Sequence, residues 1–524
     1  MKTDRSRRPS GHSRFLGFGV IVLSLSCSLF LPNRSSTTSS SITHSNALFL
    51  ASDEPNTLDP AKWTGSAESI VGDLYSGLLR LDANLQLVPD LAQSWDVSPE
   101  GTVYTFHLRG DVVFHSGRAF TADDVRFSWE RALDPATGSP TASTYLADIA
   151  RVSVVDDFTL VVTLDAPKVY FLAKLAYPTS WIVDRETADR IEEQPVGTGP
   201  FQLYRHTPGR EIVLQRNPRY HLGPVPLEYV VYQINTGHPV RLYEGGDIDM
   251  IGLPEDLLDR ARDPSDTLYG QIYPITPLCT YYTVLDASVA PFDERAVRRA
   301  FALAIDRDAF NDVAFEGRFP VAAGLYPPGL PGYSGEVSAF PYDPEAARRA
   351  LRESSYGSPE GLPQILLTDS GAGTDIDAST AFLVQAWQET LGVTVQVEQL
   401  ESFGYSERIY SGDHGQIVPW GWCADYPDPE NFADVLFHQG GQQNIGHYSN
   451  PDFDRILEQA RSEPDIPVRF GLYQQAEQIL IDDAAAIFLI HSPTHYILVK
   501  PQILGYLPAP IGVAQNLNLS IAEP

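Results

Sequence analysis

Apolar and polar positions alternate with period two over Val103-Tyr104-Thr105-Phe106-His107-Leu108, which predicts a strand. A further strand, Val112-Val113-Phe114, is expected after the turn at Arg109-Gly110-Asp111. At Thr121-Ala122-Asp123-Asp124 the pattern changes to a helix start. Thr121 is the N-cap and Asp124 the third helical position, and Val125, Phe127, Trp129 and Leu133 supply apolar surface up to Asp134-Pro135. Val152 to Leu164 reads as a hairpin turning at Asp156-Asp157, and strands follow at Glu211 to Gln215 and Tyr229 to Ile234. A helix is expected from about Glu294 to Asp306-Arg307-Asp308, with Val297, Ala300, Phe301 and Ala304 on one face. Pro320 to Pro341 reads as loop, Pro344 to Arg352 as a helix with proline in its first turn, and Leu383 to Leu391 as a helix ending at Gly392. Val393 to Val397 is the strand after it. The breaker cluster Pro195-Val196-Gly197-Thr198-Gly199-Pro200 is a candidate crossing between lobes. Helices and strands interleaved in this order imply α/β lobes, and no internal repeat is visible.

The length of 524 residues exceeds what one core usually fills, about 250–300 residues. Residues 1–46 carry six basic groups and one acid. Their net of +5 against a whole-chain −30 leaves −35 on the remaining body, a charge that repels phosphate backbones and argues against nucleic-acid partners. A basic stretch from Lys2 to Arg14 precedes an uncharged apolar run, Phe15 to Pro32, and a Ser/Thr tract, Ser35 to Ser41. That order is a secretory signal, and at about 18 residues the apolar run also suits an uncleaved anchor. Cys27 lies inside the run, where only a rough lipidation box precedes it, so lipid anchoring stays open. Cys279 and Cys423 form one possible pair in an oxidising compartment, two free buried thiols being the alternative.

Several enzyme classes lack their motifs. None of the five lysines follows a glycine, which excludes a phosphate-binding loop, and there is no His-Glu-x-x-His, Gly-x-Ser-x-Gly or Cys-x-x-Cys. No catalytic residue, metal or cofactor is expected. The positive signal is Trp420-Gly421-Trp422-Cys423-Ala424-Asp425-Tyr426-Pro427-Asp428-Pro429. Two prolines break regular structure there, so Asp425 should stand at the mouth of a strand-to-loop turn. A carboxylate beside indole faces suits an ammonium group, through a charge-assisted hydrogen bond and cation–π contact. The alternative is an aspartate that caps the following turn, a role that fits Asp428 better.

From Ala47 to the C-terminus the chain resembles the bacterial oligopeptide-binding proteins, in the peptide/nickel class of transporter-linked binding proteins. The landmarks are Glu54-Pro55-Asn56-Thr57-Leu58-Asp59-Pro60, Asp73-Leu74-Tyr75-Ser76-Gly77-Leu78-Leu79, Leu91-Ala92-Gln93-Ser94-Trp95 and Tyr104-Thr105-Phe106-His107-Leu108-Arg109. They continue with Gly197-Thr198-Gly199-Pro200-Phe201, Cys279-Thr280-Tyr281-Tyr282, Ala304-Ile305-Asp306-Arg307 and Gly421-Trp422-Cys423-Ala424-Asp425-Tyr426.

The resemblance implies a two-lobed periplasmic-binding-protein fold of type II, α/β with mixed sheets and an extra subdomain. It divides the chain into an anchor or signal with linker (1–46), a first lobe (47–75, 198–277 and 494–524), a subdomain appended to it (76–197) and a second lobe (278–493). It implies a disulfide between Cys279 and Cys423, and it assigns Asp425 to the α-ammonium of a bound peptide. The cleft positions it carries over are Thr64, Gly65, Ser66, Thr141 and His491, with Tyr281 and the wall Trp420, Gly421, Trp422 and Cys423. Departures are evident: Thr64 stands for an acid, Thr141 for a tyrosine, and Pro419 for an arginine, which alters how a peptide carboxylate would be met. The implied function is an extracytoplasmic, monomeric peptide receptor that delivers ligand to the permease subunits of an ABC importer. The alternatives are another amine-bearing metabolite or an oligosaccharide in the same fold, and a cell-surface enzyme or sensor partner built on it.

Overall fold

A computed structural model of the protein describes residues 42–65, 68–371, 376–441, 443–511 and 516–522. The expected signal or anchor, Cys27 and the cleft residue Ser66 lie outside the described residues. Among those described, no helix is long and apolar enough to cross a membrane.

Three mixed or antiparallel sheets organise the chain. A seven-stranded sheet has the spatial order Ile272–Ile275, His495–Val499, Met250–Gly252, Ala47–Ser52, Tyr229–Ile234, Glu211–Arg216, Phe201–Thr207. Ala47–Ser52 runs parallel to Tyr229–Ile234 although 176 residues lie between the two strands, so distant chain segments build this one layer. A four-stranded antiparallel sheet, Ala92–Val97, Val103–Leu108, Thr159–Leu164 and Ile149–Asp156, is inserted between these segments. The third sheet has five strands in the order Val395–Leu400, Ile365–Ser370, Ile417–Cys423, Cys279–Leu285, Ala486–His491.

 The 176 residues are those between the two strands, 53–228, and the strands pair in register from Ala47 with Tyr229 to Ser52 with Ile234.

Most local expectations match their elements. The strand Val103–Leu108 buries Tyr104, Phe106 and Leu108 on one face. The helix Ala122–Leu133 carries the Thr121/Asp124 capping box, and the expected hairpin forms with its turn at Asp157-Phe158, one residue later than Asp156-Asp157. Gly392 ends the helix Ala378–Leu391 in the left-handed conformation that glycine tolerates best.

Four expectations need correction. Val112-Val113-Phe114 forms no strand; only a single bridge, Val113 with Ala119, is made. The helix expected to continue to residues 306–308 ends at Leu303, and a second, Arg307–Phe315, starts because the Asp306 carboxylate caps the Ala309 N–H at 3.1 Å. The strand after Gly392 begins at Val395, where pairing with Ile365 begins. Residues 195–200 do not cross between lobes but lead from the four-stranded body into the seven-stranded sheet. Glycine is required there by close approach: a Cβ on Gly197 would stand 2.1 Å from the Leu74 carbonyl oxygen, and one on Gly199 2.4 Å from that of Asp73.

The chain passes between the seven- and five-stranded sheets at residues 276–278 and 492–494. These segments run side by side, joined by the Thr276 and Thr494 hydroxyls at 2.8 Å and by the Ser492 N–H donating to the Cys279 carbonyl at 3.1 Å. Beside them Cys279 and Cys423 face each other in antiparallel register and are disulfide-bonded, 144 positions apart in sequence. Replacing both by serine is expected to lower stability by about 2–5 kcal/mol. The readout is the urea midpoint of the variant against the oxidised protein, and equal midpoints would show that the bridge contributes nothing.

Candidate functional site

The strand Ile417–Cys423 delivers the site. On one side it pairs with Cys279–Leu285 throughout, whereas Ile365–Ser370 on the other pairs with it only at Leu367 and Ile417, so that second side is open beyond this point and tolerates Pro419. Side chains two apart share a face, which puts Trp420 and Trp422 together over the core formed by Val418, Phe432 and Leu436. Gly421 faces the other way, where a Cβ would stand 2.7 Å from the Tyr281 ring. Tyr281 lies over that gap, 38% exposed and edge-on to Phe319.

Asp425 stands two residues beyond the strand, in the turn expected for it. Asn431 holds it twice: the Asp425 N–H donates to the Asn431 side-chain oxygen at 2.8 Å, and the Asn431 amide donates to the carboxylate at 3.2 Å. The Trp422 indole N–H donates to the same Asn431 oxygen at 3.3 Å, which ties the aromatic wall to the turn. The Tyr145 hydroxyl, from the four-stranded body, is within hydrogen-bonding reach of the carboxylate. Tyr145 stacks on Tyr177 with centroids 3.8 Å apart, meets Tyr426 edge-on at 6.2 Å, and Trp63 leans on Tyr177 at 5.6 Å. Tyr410, edge-on to Trp420 at 5.8 Å, also feels the Asp425 charge.

The residue keeps some solvent exposure, yet protein surrounds its carboxylate. Burial raises the Asp425 carboxyl to about 6, with the Tyr145 and Asn431 hydrogen bonds opposing that rise. Among the described residues, no lysine, arginine or histidine forms an ion pair with it. An enclosed acid with donors on one side and aromatic faces around it is equipped to receive a cation bearing N–H groups. Asp428, by contrast, caps the Glu430 N–H at 2.9 Å and pairs with Arg469, as its capping role implied.

The remaining expected positions are dispersed. Thr64 and Gly65 are exposed on one loop, with Thr64 accepting from Asn56 at 3.2 Å and Gly65 at φ +101°. Thr141 starts the short helix Ala142–Tyr145 and bonds the Thr179 hydroxyl at 2.6 Å. His491 is 4% exposed and pairs its Nδ1 with the Thr280 hydroxyl at 2.9 Å; burial lowers its pKa to about 4, so the ring is neutral. Cys423 is exposed at the strand end within its disulfide. Sequence reasoning missed Tyr145, Tyr177 and Asn431. The one available hint was that Tyr145 sits four residues after Thr141, on the same helical face.

A family model described as bacterial extracellular solute-binding proteins, family 5 Middle, matches residues 86–444. A curated relative, di/tripeptide-binding protein 2 of Pseudomonas aeruginosa, is 30% identical over 495 residues, covering 87% of this chain and 91% of its own. The periplasmic oligopeptide-binding protein OppA of Escherichia coli is 31% identical over 493 residues, covering 86% and 88%. Among solved structures, the periplasmic binding protein DppA of Helicobacter pylori in complex with the peptide STSA superposes with a TM-score of 0.76 at 26% identity, covering 92% of this chain and 99% of that one. A family model over most of the chain and relatives of 30–31% identity that match along nearly their whole length lead to one conclusion: the chain belongs to the family 5 bacterial extracellular solute-binding proteins.

Proposed function

We propose that this protein is the peptide receptor of an ABC importer, working outside the cytoplasm as a monomer and passing its ligand to the membrane permease subunits. The observation that carries the reading is the Asp425 carboxylate, enclosed by aromatic side chains from two bodies of the fold and with no cation paired to it among the described residues. The α-ammonium of a peptide supplies the missing charge, and its N–H groups suit the carboxylate, while backbone and water contacts along the cleft tolerate varied side chains. Ligand selects the closed arrangement, which the permease then recognises. No bond of the ligand is made or broken. The division into lobes at 47–75, 198–277 and 494–524 against 278–493, with 76–197 appended, is part of this reading, as is export by the N-terminal segment.

The test is the pH dependence of trialanine affinity. The free carboxyl titrates at about 6, whereas the ammonium complex requires it ionised, so binding expels a proton below that pH. Affinity should therefore fall about tenfold per unit as pH drops below 6, and fall again above about 8 as the peptide amine loses its charge. Calorimetry from pH 4.5 to 9, with N-acetyl-trialanine as control, reads this out. A flat acid limb would remove Asp425 from ligand binding.

A further inference from the structure

The buried core beneath the four-stranded sheet contains one outsider. Every other buried member lies between Ala61 and Ile182, but Tyr426, fully buried, reaches in from the turn that follows Ile417–Cys423. Its hydroxyl bonds Glu430, the first residue of the helix Glu430–Phe437. Glu430 is 4% exposed, and the Lys174 ammonium, itself 5% exposed, lies 3.7 Å from it. Lys174 belongs to the four-stranded body, where it also bonds Asp148 at 2.9 Å and the Thr144 carbonyl at 3.0 Å. Nearby the Val169 N–H donates to the Arg461 carbonyl at 3.0 Å, and the buried Tyr170 ring lies below both Lys174 and Arg469.

We infer that Lys174, Tyr426 and Glu430 form a latch that docks the four-stranded body onto the five-stranded one and thereby positions Asp425. The sequence order supplies the coupling. Tyr426 follows Asp425 directly, and Glu430 directly precedes Asn431, the residue that holds Asp425 through two hydrogen bonds. Both ends of the binding turn are thus pinned by contacts to the other body. Lys174 is the cation beside the buried Glu430, and it shares the half-buried Asp148 with Lys168. Without it the docked state retains uncompensated charge, which separation into water relieves. Tyr426 adds apolar burial that exists only while the bodies touch. These are positioning residues: they act on the ligand through the Asp425 turn.

The positioning role rests on the reading of Asp425 as an ammonium site, but docking is measurable without ligand. X-ray scattering from ligand-free Lys174→Met and Tyr426→Leu should give a larger radius of gyration than the unsubstituted protein, whereas Lys174→Arg should restore the compact value. Trialanine should bind the first two variants about tenfold more weakly, by the fraction of molecules no longer in the competent state, with Lys174→Arg again restoring affinity. Circular dichroism melts identify any variant that has lost its fold, and Tyr426→Leu serves if Lys174→Met does so. Unchanged scattering in folded variants overturns the latch. Expanded scattering with unchanged trialanine affinity overturns the positioning role. Failure of the unsubstituted protein to bind trialanine would instead count against the peptide reading and leave the scattering result to decide the latch.

Discussion

Replacing Asp425 by alanine is expected to weaken binding of a free-amino peptide by about 2–5 kcal/mol, roughly 30-fold to several-thousand-fold. The size follows from enclosure: the lost carboxylate leaves an ammonium desolvated among tyrosine and tryptophan rings, with Tyr145 and Asn431 deprived of their acceptor. Asp425→Asn retains the shape and should lose nearly as much, which separates charge from packing. Acetylating the peptide removes the other partner, so the second loss should be small in a protein that already lacks the carboxylate. Calorimetry on the four combinations measures the coupling. Additive losses would mean that the carboxylate and the amine do not meet.

A second large effect is expected at Arg469, a guanidinium only 1% exposed. It makes two 2.7 Å bonds to Asp428 and donates through Nε to the Ala460 carbonyl at 3.1 Å. Arg469→Met leaves the Asp428 charge buried without its partner, and should cost about 3–5 kcal/mol of stability. Arg469→Lys keeps the charge but not the two-pronged geometry and should fall between. Urea denaturation reads the ranking. A loss below about 1 kcal/mol for Arg469→Met would place the pair among the weak surface type.

Elements whose information is local were readable in advance. The alternation at Val103–Leu108, the Thr121/Asp124 box and the Gly392 stop each depend on a few adjacent residues. The misreadings fall where a local signal was ambiguous. Asp306 looked like the end of one helix because an N-cap aspartate and a helix terminus share the same polar composition. Residues 195–200 are rich in breakers because the backbone of Leu74 presses against them, a contact that composition does not specify.

The site divides in the same way. By itself the sequence determined that Asp425 stands in the turn after an aromatic strand, beside two prolines, since proline geometry and strand periodicity act over a few residues. Its resemblance to a known family supplied the ammonium role and the cysteine pairing. Only the tertiary structure decided which groups meet that carboxylate: Tyr145, 280 positions away in sequence, arrives there with Tyr177 stacked on it because another body docks on the turn. Folding sets such contacts through the packing of whole layers, and an acid's charge and pKa respond to that enclosure rather than to its neighbours in the chain.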